Sequence, residues 1–247
     1  MEKQEFYQIS EQVFANNGIS EFWKDENKEK LWLLCNIMLE QNKVMNLSAI
    51  RDEQGVICRH FADSLTIAKY IPQGSKVLDV GSGGGMPTLP LAIVRPDINI
   101  TALDATAKKT AYIASAAEKL GLTNVSVLCG RAEELGNDPA YRERYDIVCA
   151  RAVAELRILT EWCVPFTKKG GYFISMKGRN GATELVDAKN AIKTLLLSQE
   201  KDDCFNLFDL STQNDTDAQR HIFIFKKTAP TPAKYPRKNA QIQKKPL

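Results

Sequence analysis

Apolar positions recur along this chain with two rhythms, and the change between them divides it. Over residues 1–70 the period is helical. Phe6, Ile9 and Val13 share one face, and Asn17-Gly18 closes that segment. Ser20 is an N-cap candidate for a second helix carrying Trp23, Leu31, Leu34, Ile37 and Met38. A third helix would carry Val56, Ile57, Phe61, Leu65 and Ala68. The polar stretch from Asn42 to Ile50 predicts a loop between them.

From residue 71 the rhythm becomes short β-type runs separated by helical patterns. The runs fall at 76–80, 98–104, 125–128, 145–150, 171–176, 204–210 and 221–226, and the helical patterns at 88–95, 107–120, 153–166 and 182–198. Such alternation implies right-handed crossovers and a mainly parallel sheet. The last two runs are joined only by 211–219, with no helix, so they form a hairpin and the final strand enters antiparallel. The expected fold is α/β: a Rossmann-like, seven-stranded sheet with its last strand antiparallel and an N-terminal helical lobe. That pattern differs from the usual nicotinamide-binding domain. Beyond Thr228 the chain carries Pro230, Pro232 and Pro236 among basic residues and no apolar period. The division predicted is a helical lobe over 1–70, an α/β domain over 71–228, and a basic, extended, Pro-containing tail over 229–247 that orders only on binding.

Composition narrows the class. At 44% hydrophobic and 26% charged residues the chain is an ordinary globular protein. Its longest apolar stretch, 31–39, is interrupted by Asn36 and is too short to span a bilayer, and Glu2, Glu5 and Glu11 speak against a signal peptide, so a cytoplasmic protein is expected. Six scattered cysteines without a Cys-x-x-Cys pair, and only two histidines, His60 and His221, predict reduced thiols and no metal site. The net charge of +3 is uneven. From residue 226 onward there are seven basic residues and no acid, whereas residues 1–30 hold seven acids and four bases. A basic arm of this kind suits an anionic partner.

The chemistry begins at Lys76–Pro87, where an apolar run ends at Asp79 and enters Gly81-Ser82-Gly83-Gly84-Gly85-Met86. A strand, a glycine turn and a helix start make a ligand cradle, because glycine lets the backbone turn sharply and approach a ligand. A tight turn without a ligand is the alternative. A dinucleotide fingerprint would need a small residue in place of Met86, and a phosphate loop would need a Gly-Lys-Ser/Thr sequence that is absent. Asp104 ends the second strand 23 residues after Gly81, where an acid accepts both ribose hydroxyls or caps the next helix. Ala132 and Glu133 follow the third strand, where an adenine amine could be recognised or acids could favour a helix start. Arg151 ends the fourth strand and faces either the crevice or a surface carboxylate. A glycine loop with acidic strand ends and no phosphate-neutralising cation suits S-adenosyl-L-methionine. No Asn/Asp-Pro-Pro-aromatic motif and no Pro-Cys occurs, which favours an acceptor that is already nucleophilic, such as guanine N7.

These residues resemble the RsmG (GidB) family, the class I S-adenosylmethionine-dependent methyltransferases of small-subunit ribosomal RNA. The matching segments are Asn46–Arg51, Arg59–Leu65, Asp79–Pro87, Ala150–Ala154, Met176–Gly178 and Lys234–Lys238. The resemblance implies cofactor contacts from Gly81, Met86, Ala132, Glu133 and Arg151; the glycine turn and the strand-end acid themselves add Gly83, Gly85 and Asp104 to the cradle. It implies methylation of N7 of one guanine in 16S rRNA. Two departures stand out. Met86 replaces the family's usual Phe or Leu, and Asp104-Ala105 with Lys108-Lys109 replaces Asp-Ser with Lys-Arg. His60, Asp63 and Ser64, gathered with Asn46, Ser48 and Arg59, either line the crevice mouth or lock the lobe to the sheet. Lys177, Arg179 and the tail are the candidates for RNA phosphate contact. The alternatives are methylation of another RNA, a protein or a small molecule, and a non-catalytic RNA-binding module.

Overall fold

The computed structural model describes residues 1–210 and 218–247. Its centre is a seven-stranded sheet in the order β3-β2-β1-β4-β5-β7-β6. The strands are β1 (Lys76–Val80), β2 (Asn99–Asp104), β3 (Val125–Cys129), β4 (Tyr145–Arg151), β5 (Thr167–Lys177), β6 (Leu197–Asn206) and β7 (Gln219–Lys227). β1 to β5 pair in parallel, and β7 is antiparallel to both β5 and β6, as the hairpin predicts.

Alternation along the strands sorts their side chains into two cores. Val77, Ile100, Ile147, Ile174 and Ile222 face one side and join the N-terminal lobe with α5 (Thr88–Val94) and α6 (Ala107–Lys119). Leu78, Leu103, Val148, Phe173 and Phe223 face the other side, packed under α8 (Leu156–Cys163). Both faces of β1, β2 and β4 are therefore covered, which is why these runs read as mostly apolar, whereas β3 at the sheet edge is largely exposed.

The N-terminal lobe holds α1 (Lys3–Asn16) and α2 (Asp25–Met45), then the consecutive helical segments α3 (Glu53–Gly55), a π-helical turn (Val56–Ala62) and α4 (Asp63–Leu65). The predicted faces are buried: Phe6, Val13, Leu31, Leu34, Val56, Ile57, Phe61, Leu65 and Ala68 are fully enclosed. Two details differ. Ser20 opens a 3-10 turn (Ser20–Phe22), and α2 starts only at Asp25 behind Lys24. Asn42 to Met45 are the last turn of α2, and Asn46 ends it at φ 46°. The loop after it is pinned by Asn42. Its Nδ2 donates to Ser48 O and Ile50 O, both at 2.9 Å, and its Oδ1 accepts from Ser48 N.

Three C-terminal expectations are corrected. The sixth strand lies at Leu197–Asn206, not 204–210, and the helix expected over 182–198 is two short ones, α9 (Gly181–Asp187) and α10 (Lys189–Thr194). As a sheet edge, β6 is mostly exposed and carries no apolar signal. Most of the connection expected at 211–219 lies outside the described residues. The tail, expected to be extended, is folded onto the domain. Tyr235 and Ile242 are buried, and α11 (Asn239–Lys244) packs near α8. Arg237 grips the fully buried carboxylate of Glu161 through Nε at 2.9 Å and Nη2 at 2.6 Å. Arg142 holds Tyr235 O at 2.8 Å and Thr231 O at 2.9 Å. Carbonyl capture and one buried ion pair fix a segment whose sequence offers few apolar anchors, Tyr235, Ile242 and the partly buried Leu247. No described helix is long and apolar enough to cross a membrane.

Candidate functional site

The C-terminal ends of β1 to β4 meet at one edge of the sheet, where ligands sit in open α/β folds. The β1 turn is drawn to β2 by backbone hydrogen bonds from Gly81 N and Ser82 N to Leu103 O at 2.8 and 3.0 Å. Gly83 N donates to Asp104 Oδ2 at 3.0 Å, and Thr106 N donates to Oδ1 at 2.8 Å. Asp104 thus ties the glycine turn to the start of α6, and each oxygen keeps a lone pair.

The glycines divide by role. Gly83, at φ +54°, meets nothing closer than Gly81 O at 3.8 Å where a Cβ would stand. Gly81, at φ +76°, lies under Val153, whose Cγ2 would be 2.7 Å from such a Cβ. Gly85, at φ +81°, is buried against Leu89, 2.6 Å from the Cβ position, and lines no cavity of the site.

Two cavities flank this turn. One, of about 330 Å³, is lined by Gly81, Gly83, Met86, Asp104, Arg151 and His60 among others. The second, of about 220 Å³, is lined by Gly81, Asp104, Ala132, Glu133, Trp162 and Asn239 among others. Val153, on the loop after β4, lines both. The cofactor residues expected from the sequence are therefore brought together, apart from Gly85.

The N-terminal lobe meets β4 through one polar network. Arg151 Nη1 donates to Asp63 Oδ2 and to Arg59 O, each at 3.0 Å, and its Nη2 donates to His60 Nδ1 at 3.2 Å. Asp63 Oδ1 accepts from Arg220 Nε on β7 at 3.0 Å. A guanidinium donating to Nδ1 leaves the imidazole proton on Nε2, which donates to Ser48 Oγ at 2.7 Å. Burial first, and then the Arg151 charge, push the His60 pKa down to about 3, so the ring is neutral at physiological pH. Ser64 is fully buried and turned to Met86 Sδ at 3.9 Å rather than to solvent.

Asp79, not among the expected site residues, is also notable. It is fully enclosed, its Oδ2 accepts from Thr88 Oγ1 at 2.7 Å, and its Oδ1 has no partner among the described residues. Burial raises its pKa to about 6. Its sequence signal is an acid one residue before the end of β1, ahead of the glycines. Arg220 and Asn239 carry no local signal, since only the fold carries them to this edge.

A third cavity of about 410 Å³ opens beyond Arg151, lined by Asp63, Val153, Lys177, Glu184, Arg220 and His221 among others. Lys177 is buried there. Its ammonium contacts Ala154 O and pairs with Glu184 Oε2 at 2.7 Å, so it is turned inward. Arg179 is exposed. Among the described residues no three metal-ligating side chains cluster.

A sheet of this order with an antiparallel β7, a glycine turn after β1 and an acid ending β2 defines a class I S-adenosylmethionine-dependent methyltransferase. Solved structures agree on the fold. A precorrin-6y C5,15-methyltransferase from Geobacter metallireducens superposes with TM-score 0.51 at 15% identity, over 74% of this chain and 93% of its own. A SAM-dependent methyltransferase from Methanosarcina mazei gives 0.51 at 15%, over 66% and 96%. The family model GidB, described as rRNA small subunit methyltransferase G, matches residues 27–209, and the chain belongs to this family. It is 41% identical to ribosomal RNA small subunit methyltransferase G of Brevibacillus brevis, over 96% of this chain and 97% of that protein. It is also 41% identical to the protein of that name from Acetivibrio thermocellus, over 90% of each.

The residues present fit S-adenosylmethionine. The space beside Gly83 would be filled by a Cβ, Asp104 keeps free lone pairs for hydroxyls, and the unpartnered Asp79 Oδ1 places negative charge behind the turn, where a cationic ligand is favoured.

Proposed function

We propose that the protein transfers a methyl group from S-adenosylmethionine to N7 of a guanine in 16S rRNA of the small ribosomal subunit. Gly81, Gly83, Met86 and Arg151 would hold the methionine end, and Asp104, Ala132 and Glu133 the nucleoside. When bound, S-adenosylmethionine supplies an electrophilic methyl carbon on a sulfonium cation. Guanine N7 attacks with an in-plane lone pair and carries no proton, so the chain needs to align the base and exclude water rather than deprotonate it.

The observation that carries this reading is the state of the polar groups around the 330 Å³ cavity. His60 is neutral, with Nδ1 occupied by Arg151 and Nε2 committed to Ser48. The Arg151 charge is compensated by Asp63 at 3.0 Å. His60 is therefore not poised as a general base and the Arg151 charge is neutralised, while Lys109, the other cation lining the cavity, lies 3.9 Å from Asp104 Oδ2. Both features suit an acceptor that starts neutral and ends positively charged.

The RNA side is supported by surface charge. Of the seven basic residues from 226 onward, Lys227 and Arg237 are spent on Glu143 and Glu161. Lys226, Lys234, Lys238, Lys244 and Lys245 stay exposed for phosphates. The target guanine would be presented unstacked, since A-form RNA hides N7 in a deep groove. The partner is the small subunit or an assembly precursor, and the setting is the cytoplasm.

Mapping N7-methylguanosine in 16S rRNA with and without the gene tests the proposal. One modified guanine should be lost on deletion and restored by the wild-type gene. An unchanged modification pattern would overturn it.

A further inference from the structure

The 220 Å³ cavity at the nucleoside side has a wall that the sequence motifs do not supply. Trp162 comes from α8 and Asn239 from the first position of α11, in the C-terminal segment. Each leaves a buried polar atom without a partner among the described residues: the Trp162 Nε1–H donor and the Asn239 Oδ1 acceptor. Unpaired buried groups of this kind are costly, and they become favourable when a ligand supplies the complementary atoms. A purine with an exocyclic amine offers both, an N–H donor on the amine and lone-pair acceptors on the ring nitrogens.

The segment that brings Asn239 here is firmly placed. Pro236 O accepts from Asn137 Nδ2 at 3.0 Å, and Asn137 sits just after α7 (Ala132–Leu135), the helix that begins with the cavity residues Ala132 and Glu133. Arg237 N also donates to Glu161 Oε1 at 2.8 Å, one residue before Trp162. Ile242 is fully buried. The tail is thus anchored beside two of the elements that line the cavity, α7 and α8.

We infer that the C-terminal segment forms one wall of the adenine end of the cofactor site, with Trp162 and Asn239 as positioning and specificity residues for the base. This rests on the S-adenosylmethionine reading above. The geometry has a thermodynamic consequence: a ligand that binds only the docked tail stabilises docking, so cofactor occupancy and tail order are linked. Lys234, Lys238, Lys244 and Lys245 of the same tail are exposed, which would let cofactor occupancy set how that basic surface is held.

The test uses the full chain with S-adenosylhomocysteine and, separately, adenosine as probes. Calorimetry on Asn239→Ala should show both affinities weakened about 10-fold, the size expected for one lost hydrogen bond to a buried group. Trp162→Phe, which keeps a ring but removes the N–H, should weaken them by a similar factor. Saturating S-adenosylhomocysteine should slow tryptic cleavage at Lys234, Lys238 and Lys244 in the wild type, and slow it less in Asn239→Ala. If Trp162→Phe unfolds, Asn239→Ala and the proteolysis of the wild type still decide. Wild-type affinity in Asn239→Ala together with ligand-independent cleavage would overturn this inference and leave the cofactor reading standing. Failure of the wild type to bind S-adenosylhomocysteine would overturn both.

Discussion

Gly83 and Gly85 stand two positions apart in one motif, yet they answer to different constraints. At Gly83 a side chain would enter open space at positive φ, whereas at Gly85 it would enter Leu89. Gly83→Val should therefore leave a folded protein, with the strain of a non-glycine residue at positive φ costing about 1–3 kcal/mol, and should abolish cofactor binding in calorimetry. Gly85→Ala should instead lower the melting temperature, because the neighbour its Cβ meets is packed core. Asp79 gives a pH signature. Its native carboxyl titrates near 6, above the ordinary 3.8, so Asp79 favours folding progressively as pH falls from about 6 towards 3.8. A cationic ligand favours the ionised form, so cofactor affinity should fall as pH drops through about 6, and Asp79→Asn should flatten that dependence. His60 has the opposite sign for stability. The unfolded ring protonates near 6.5 and the native one only near 3, so its contribution is lost as pH falls through that window. Denaturant titrations of the wild type and His60→Asn between pH 7 and 4 should show a shallower loss in the variant.

Among the elements, the junction between lobe and sheet depends on one carboxylate. Asp63 on α4 takes Arg151 from the end of β4 and Arg220 from β7, and all three side chains are largely enclosed. Asp63→Ala removes the anion shared by Arg151 and Arg220, a loss of about 3–5 kcal/mol by the usual cost of breaking a largely buried ion pair. Thermal melting should show it, and hydrogen exchange should rise in Val56–Leu65. Sequence legibility also differs by element. β1, β2 and β4 are buried on both faces and announce themselves as apolar runs. β6 pairs on one edge only, so its side chains need not be apolar, and it lies at Leu197–Asn206, several residues before the apolar run that suggests it. The tail's docking is silent in the sequence for a related reason. Its hold comes from carbonyls and from Arg237 with Glu161, interactions that leave no hydrophobic period.

For the molecule as a whole, the charge run and the motif list have different fates. The basic C-terminal run looks like a free arm in the sequence, but the structure spends Lys227 and Arg237 internally and docks the segment against α8. The remaining lysines form a fixed surface rather than a loose arm, so Lys238→Ala with Lys245→Ala should weaken RNA binding and reduce its salt dependence by a slope of about 1–2, with cofactor affinity unchanged. What the sequence determined by itself was the order of strands and helices, the antiparallel ending and the cofactor edge. Period, glycine turns and strand-end acids are local, and parallel-sheet topology follows from their sequence order. What only the tertiary structure decided was the pairing of distant polar groups: Ser48 with His60, Asp63 with Arg151 and Arg220, Lys177 with Glu184, and Trp162 beside Asn239. Those partners lie up to 157 residues apart. Each is an unremarkable polar residue in its own segment, and its role appears only when folding removes water and leaves a single neighbour to satisfy it.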